Sequence, residues 1–211
     1  VEIDIGAAYD TMIVVAASAP TVNKGMEALL DYCAQVCPSE VWEDLRSLDY
    51  EADVVALRSW LEHTLTEEPP SPNVKAFWFG LYQAEDEAGP IYVLYLSGSA
   101  EVYTPDSLDW ACETEESYLP EARYADSRIL KTVFRAVQAE PEAVLLAEYM
   151  LCMGYACLAI PAIFQSLAPE LVLGQAESRT VVTGFDEGDN VLLGQVGKAG
   201  WLKSLPAPIV L

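Results

Sequence analysis

The chain contains a single histidine, His63, and that scarcity removes several kinds of chemistry. A Ser-His-Asp or Cys-His centre would have to be built on this one imidazole. Its setting, Trp60-Leu61-Glu62-His63-Thr64 within a helical pattern, reads instead as an exposed helix position. No serine sits in a GxSxG elbow, since Ser97-Gly98-Ser99 lacks the flanking pattern. Zinc sites need several His or Cys at set spacings, and neither CxxC nor HExxH occurs. Cys33 and Cys37, four apart on one helix face, read as a pair of thiols. A P-loop is absent, and Gly194, Gly197 and Gly200 have the wrong spacing for a dinucleotide fingerprint. These absences leave no catalytic residue to assign and no cofactor to expect.

Basic residues are the second shortage. There are 11 Lys plus Arg against 33 Asp plus Glu, a formal net charge of −22. Such a surface repels phosphate backbones and anionic lipid, so nucleic-acid and membrane-surface binding are not expected. A cationic protein partner is favoured, because a dense negative patch accelerates encounter with it. Solubility alone is the competing account of the charge. Cysteines are few and odd in number: Cys33, Cys37, Cys112, Cys152 and Cys157. With no secretory pattern at the start, reduced thiols and a cytoplasmic location are expected.

Charge of either sign is missing from residues 149–169, a stretch long enough to span a bilayer. Pro161 interrupts it, Gln165, Ser166 and Pro169 make its end polar, and no Lys or Arg flanks it. A buried core helix broken at Pro161 is the expectation.

What is present is a 52% hydrophobic chain, sufficient for a real core. The expected architecture is a single α+β domain over residues 1–211: a helical N-terminal third (about 1–68), a proline-rich connector (67–73), then a central, mostly antiparallel sheet with helices packed on it (74–211). Residues 11–17, short and β-branched, read as a strand. Met26, Leu29, Leu30, Cys33 and Val36 recur at helical spacing after Pro20 and Thr21. Ser39 can cap a short helix carrying Val41, Trp42 and Leu45. A third helix runs from about residue 51 to 65, with Val54, Leu57, Leu61 and Leu65 on one stripe. Residues 74–82 and 91–96 form the strongest strand pair, a hairpin around an acidic turn, both strands covered on both faces. A short strand is expected at 100–103. Asp126 is read as the cap of a helix whose apolar stripe is Ile129, Leu130, Val133, Phe134 and Val137. Its opposite face, Arg128, Lys131 and Arg135, is expected to pair with the preceding acidic segment. Pro141 opens the long apolar helix. Two further short strands, at 180–183 and 191–193, flank a turn at 186–190.

The charge excess is concentrated. Residues 85–126 hold eleven acids and one base, Arg123. Within them, Asp106, Asp109, Trp110, Glu113, Glu115, Glu116 and Tyr118 combine acids for steering with aromatics for anchoring, the mixture that suits a protein interface. Trp110 has a second reading, as a core plug tying the loop to the sheet. Asp186 and Asp189, in the turn of the last hairpin, are weak candidates for cation ligands, without the ordered spacing or distal Glu of a calcium loop.

The order Phe79-Gly80-Leu81-Tyr82, Tyr95-Leu96-Ser97-Gly98, Asp109-Trp110-Ala111-Cys112, Pro120 and Gly184-Phe185-Asp186-Glu187-Gly188-Asp189 resembles a pattern in small bacterial proteins of the immunity type that accompany polymorphic toxins. The likeness spans residues 75–195 and rests on short motifs. It implies a non-enzymatic inhibitor that covers the active site of a cognate, often basic, toxin, and it carries no catalytic residues. A carboxylate-based, metal-assisted hydrolase and a structural or scaffold subunit are the alternatives.

Overall fold

A computed structural model of the chain describes residues 3–105, 109–111, 117–186 and 188–205. The fold is α+β: four N-terminal helices precede a six-stranded mixed sheet, mostly antiparallel, with helices packed on it. The helices are α1 (Ile5–Ser18), α2 (Val22–Val36), α3 (Val41–Arg46) and α4 (Tyr50–Glu67). After the connector come the strands β1 (Ala76–Asp86) and β2 (Gly89–Ser99), the short β3 (Tyr124–Ala125) and α5 (Arg128–Val137). Next are α6 (Pro141–Ala147), a π-helical turn (Glu148–Met153), α7 (Gly154–Ser166) and the short α8 (Pro169–Leu173). The chain closes with β4 (Ser178–Phe185), β5 (Asn190–Gly197) and β6 (Gly200–Lys203).

The expected strand at 11–17 is helix α1. Asp4 caps it by accepting the Ala7 N–H at 3.0 Å, and Ala8, Met12 and Ala16 form a buried stripe at i, i+4 and i+8. Packing of that stripe overrides the β preference of Ile13, Val14 and Val15, each of which costs a few tenths of a kcal/mol in a helix. Lys203, on β6, donates to the Ala16 and Ala17 carbonyls at 2.7 and 2.9 Å, placing a cation at the C-terminus of α1. Helices α2, α3 and α4 form where expected. Thr21 caps α2 through the Lys24 N–H, and the Ser39 hydroxyl accepts the Val41 N–H at the start of α3.

The long apolar helix does not break at Pro161. Proline removes one ladder bond and leaves α7 intact, and the irregularity lies upstream, in the π turn. By length and composition the span Pro141–Ser166 would cross a membrane, yet 78% of its most apolar window is buried within the protein. It runs between the N-terminal helices on one side and the sheet on the other, which explains why it is apolar all round.

Strand order is β3-β2-β1-β4-β5-β6, with β1 and β4 parallel and every other pair antiparallel. The hairpin is longer than expected: β2 runs to Ser99, and residues 100–103 form no strand of their own. The edge strand β6 was not legible in the sequence. Ser127, not Asp126, caps α5, its hydroxyl accepting the Leu130 N–H at 3.1 Å. One core joins helices and sheet through Phe77, Phe79, Leu96, Val181 and Leu193 on the helix-facing side. The opposite face of the central strands carries a smaller cluster of Ala76, Trp78, Trp110 and Val182, so β1 is buried on both faces.

Two buried polar groups tie the layers together. Asp53 accepts from the Ser127 hydroxyl (2.7 Å), the Arg128 N–H (2.8 Å) and the Tyr155 hydroxyl (2.7 Å), joining α4, α5 and α7. Arg179, fully buried at the start of β4, donates to the carbonyls of Pro70, Ser71 and Leu173 and lies over the Phe77 ring. It thereby holds the proline-rich connector against the sheet.

Candidate functional site: a tyrosine and carboxylate cleft

Because β1 and β4 are parallel, the turns that follow them emerge at the same end of the sheet. The β1–β4 register ends at Leu81 opposite Phe185, and residues 82–86 of β1 continue without a β4 partner, about 16 Å of strand. A cleft of about 510 Å³ opens beside this projecting arm. Its walls are Tyr82 and Gln83 of β1, Tyr92 of β2, Glu148 and Tyr149 of the π turn, and Phe185 and Asp186 at the end of β4.

The π turn brings both Glu148 and Tyr149 to the cleft; such insertions are frequent at functional sites. Gln83 Nε2 donates to Glu148 Oε1 at 2.8 Å. Burial raises the Glu148 carboxyl above its ordinary value, with Gln83 and Tyr92 opposing that rise by hydrogen bonding. The Tyr149 hydroxyl donates to Asp189 Oδ2 at 2.9 Å, and burial followed by that carboxylate pushes its pKa up to about 12. On the other sheet face a short relay runs from Trp78 Nε1 to the Tyr95 hydroxyl (3.0 Å) and on to Asp186 Oδ1 (2.7 Å). Burial, then the hydrogen bond to Asp186, raises the Tyr95 pKa. This packing needs Gly80: a Cβ there would lie 2.3 Å from the Tyr95 ring.

The rings are mutually braced. Tyr149 and Phe185 meet edge-on at 5.2 Å, Tyr92 and Phe185 at 5.8 Å, and Tyr82 contacts Tyr95 and Tyr124 at 5.8 and 6.1 Å. Arg123 already lies over the Tyr124 ring, 4.8 Å from its centroid.

The residues singled out in the acidic loop divide differently. Asp109 is exposed. Trp110 and Tyr118, read as anchors for a partner, are buried at 3% and 9% exposure. Trp110 packs on Trp78 at 6.0 Å and on Tyr103 at 5.5 Å, the core-plug arrangement. The Tyr118 hydroxyl donates to the Glu68 carbonyl at 2.7 Å. Asp106, Glu113, Glu115 and Glu116 lie outside the described residues. Asp186 and Asp189 each accept a tyrosine hydroxyl, and among the described residues no group of three metal-ligating side chains occurs. His63 is exposed, Cys33 is buried and Cys37 partly so. On α5, Lys131 pairs with Asp126 and Arg135 with Asp86.

Sequence reasoning missed Glu148, Tyr149, Gln83, Tyr82 and Tyr92. One signal pointed at the first: Glu148 is the last charge before the 21-residue uncharged stretch. The others come together only through the parallel pairing of β1 with β4. Comparison of the chain with protein-family models, with curated proteins and with solved structures finds no match.

Proposed function

We propose that this protein is a non-catalytic binding module that engages a cationic polypeptide, with the turn end of the sheet as part of its docking face. The observation that carries this reading is the fate of the positive charges. Lys24, Arg46, Arg58, Lys131, Arg135 and Lys198 sit in ion pairs, while Arg179 and Lys203 donate to backbone carbonyls. Most of the scarce cations are thus engaged within the protein, with Lys75 and Arg128 exposed and in no ion pair among the described residues, and the remaining acids set the external field. Exposed acids stand on both turns at this end of the sheet: Glu85 and Glu87 on one, Asp186 and Asp189 on the other. The acids of residues 106–116 add to the net negative charge of the chain. The resemblance to immunity-type proteins makes a basic toxin the partner class, and inhibition would be steric, by occlusion of the toxin's active site, with charge complementarity setting the association rate.

The test is to identify whether a basic polypeptide is encoded beside this gene and to measure its association with this protein by surface plasmon resonance at several salt concentrations, absence of any such neighbour counting against a toxin partner. Reversal of Glu113, Glu115 and Glu116 to Lys, or of Glu85 and Glu87 to Lys, is expected to slow association about tenfold or more and to flatten its salt dependence. Wild-type association rates in both triple and double variants would remove charge steering from the account.

A further inference from the structure

We infer that the cleft beside β1 is a receptor for a single guanidinium group, one arginine side chain of the cationic partner. This rests on the docking reading above and assigns it a chemistry. One carboxylate, Glu148 of the π turn, faces the cleft, while Asp186 at the end of β4 lines it with its carboxylate held by Tyr95 on the other sheet face. Neither takes part in an ion pair among the described residues, and no Lys, Arg or His lines the cleft. Each carboxylate is oriented by a neutral donor, Gln83 for Glu148 and Tyr95 for Asp186. A carboxylate offers about four acceptor positions, so both keep capacity for a charged donor.

The remaining walls suit the rest of an arginine side chain. Tyr92, Tyr149 and Phe185 present ring surface, on which a planar guanidinium stacks as a spherical ammonium does not. Leu81 and Leu145 supply apolar surface for a methylene stem. The volume of about 510 Å³ lies within the range of small-ligand sites and exceeds what one side chain fills, leaving room for the backbone that carries it. The protein already makes this kind of contact once with its own residues, Arg123 over the Tyr124 ring on the other sheet face.

The probe is the peptide acetyl-Gly-Gly-Arg-Gly-Gly-amide, titrated into the full chain and followed by amide NMR, with citrulline and lysine versions as controls. Citrulline keeps the shape of arginine and removes its charge. Shifts confined to residues around the cleft are expected with arginine, with the lysine peptide at least threefold weaker and the citrulline peptide silent. Glu148→Gln and Tyr149→Leu should each weaken arginine binding about fivefold or more, while Tyr149→Phe, which keeps the ring, should bind within twofold of wild type. Thermal melts of the variants establish that they are folded. Unchanged affinity in Glu148→Gln and Tyr149→Leu, shifts mapping to another surface, or equal binding of the citrulline peptide overturns the cleft assignment. If the neighbouring basic polypeptide still binds with strong salt dependence in that case, the docking reading stands and only the cleft falls. If neither peptide nor polypeptide binds, both fall.

Discussion

Asp53 and Glu148 show how two carboxylates in one chain come to do different things. Asp53 is 6% exposed and accepts three donors from the start of α5 and from α7, so both its carboxyl oxygens are hydrogen-bonded inside the protein. Glu148 is half-buried beside tyrosines, with its carboxyl raised by desolvation. A carboxyl raised in the folded state binds its proton more tightly there than in the unfolded chain. Its contribution to stability is therefore complete below the ordinary value of 4.5 and is lost as pH rises through the folded-state value. Glu148→Gln should remove that loss: its stability relative to wild type should grow as pH is raised from about 4 to about 7, read from urea melts. Parallel pH profiles for the two proteins would show that Glu148 is not desolvated in solution. At this scale the sequence was partly informative. The apolar stripe Ile129, Leu130, Val133, Phe134 and Val137 is buried as its spacing indicates. Trp110 was ambiguous between anchor and plug, because an aromatic residue in an acidic loop satisfies both patterns until the Trp78 face it covers is known.

Among the elements, the β1–β2 hairpin arm is the part that depends most on outside support, since it projects past β4. Its turn is tied by Arg135 of α5 to Asp86, while Asp86 Oδ1 accepts the Ala88 N–H at 2.9 Å. The Ala88 N–H and then the Arg135 guanidinium hold the Asp86 carboxyl below its ordinary value. This tie is accordingly present above the ordinary carboxylate range and is lost as pH falls through the folded-state value. Arg135→Ala should speed amide hydrogen exchange at residues 85–91 about threefold or more while changing the melting temperature by no more than a few degrees, as expected for local opening. Exchange rates equal to wild type would show that the arm is held by its strand pairing alone. The helices α2, α4 and α5 were readable because each shows a stripe at 3.6-residue period. The strand expected at 11–17 is a helix because the β-branched and small residues around Met12 carry no period of their own, and the contacts that decide α1 lie in α7 and the π turn.

Over the whole molecule the net charge of −22 is a cost to folding. Like charges held together in the compact state repel, and salt screens them. The melting temperature should therefore rise by several degrees between about 0.01 M and about 0.5 M sodium chloride, well before any salting-out effect of sulfate is involved. A flat or falling profile would mean that the acids are more fully compensated in the fold than their burial and pairing indicate. Under the proposed function the same excess favours a cationic partner, and the cleft and the acidic loop enter one account.

Composition and local periodicity by themselves determined the α+β class, the helical N-terminal third, the connector and the central hairpin. Those properties depend on residues near one another in the chain or on totals over it. The tertiary structure alone decided that β1 and β4 run parallel, that the long apolar helix continues through Pro161 between two layers, and that Glu148, Tyr149, Tyr82 and Asp186 share a cleft. Each of these depends on the register between segments about a hundred residues apart, and such register is set by packing that no local pattern encodes.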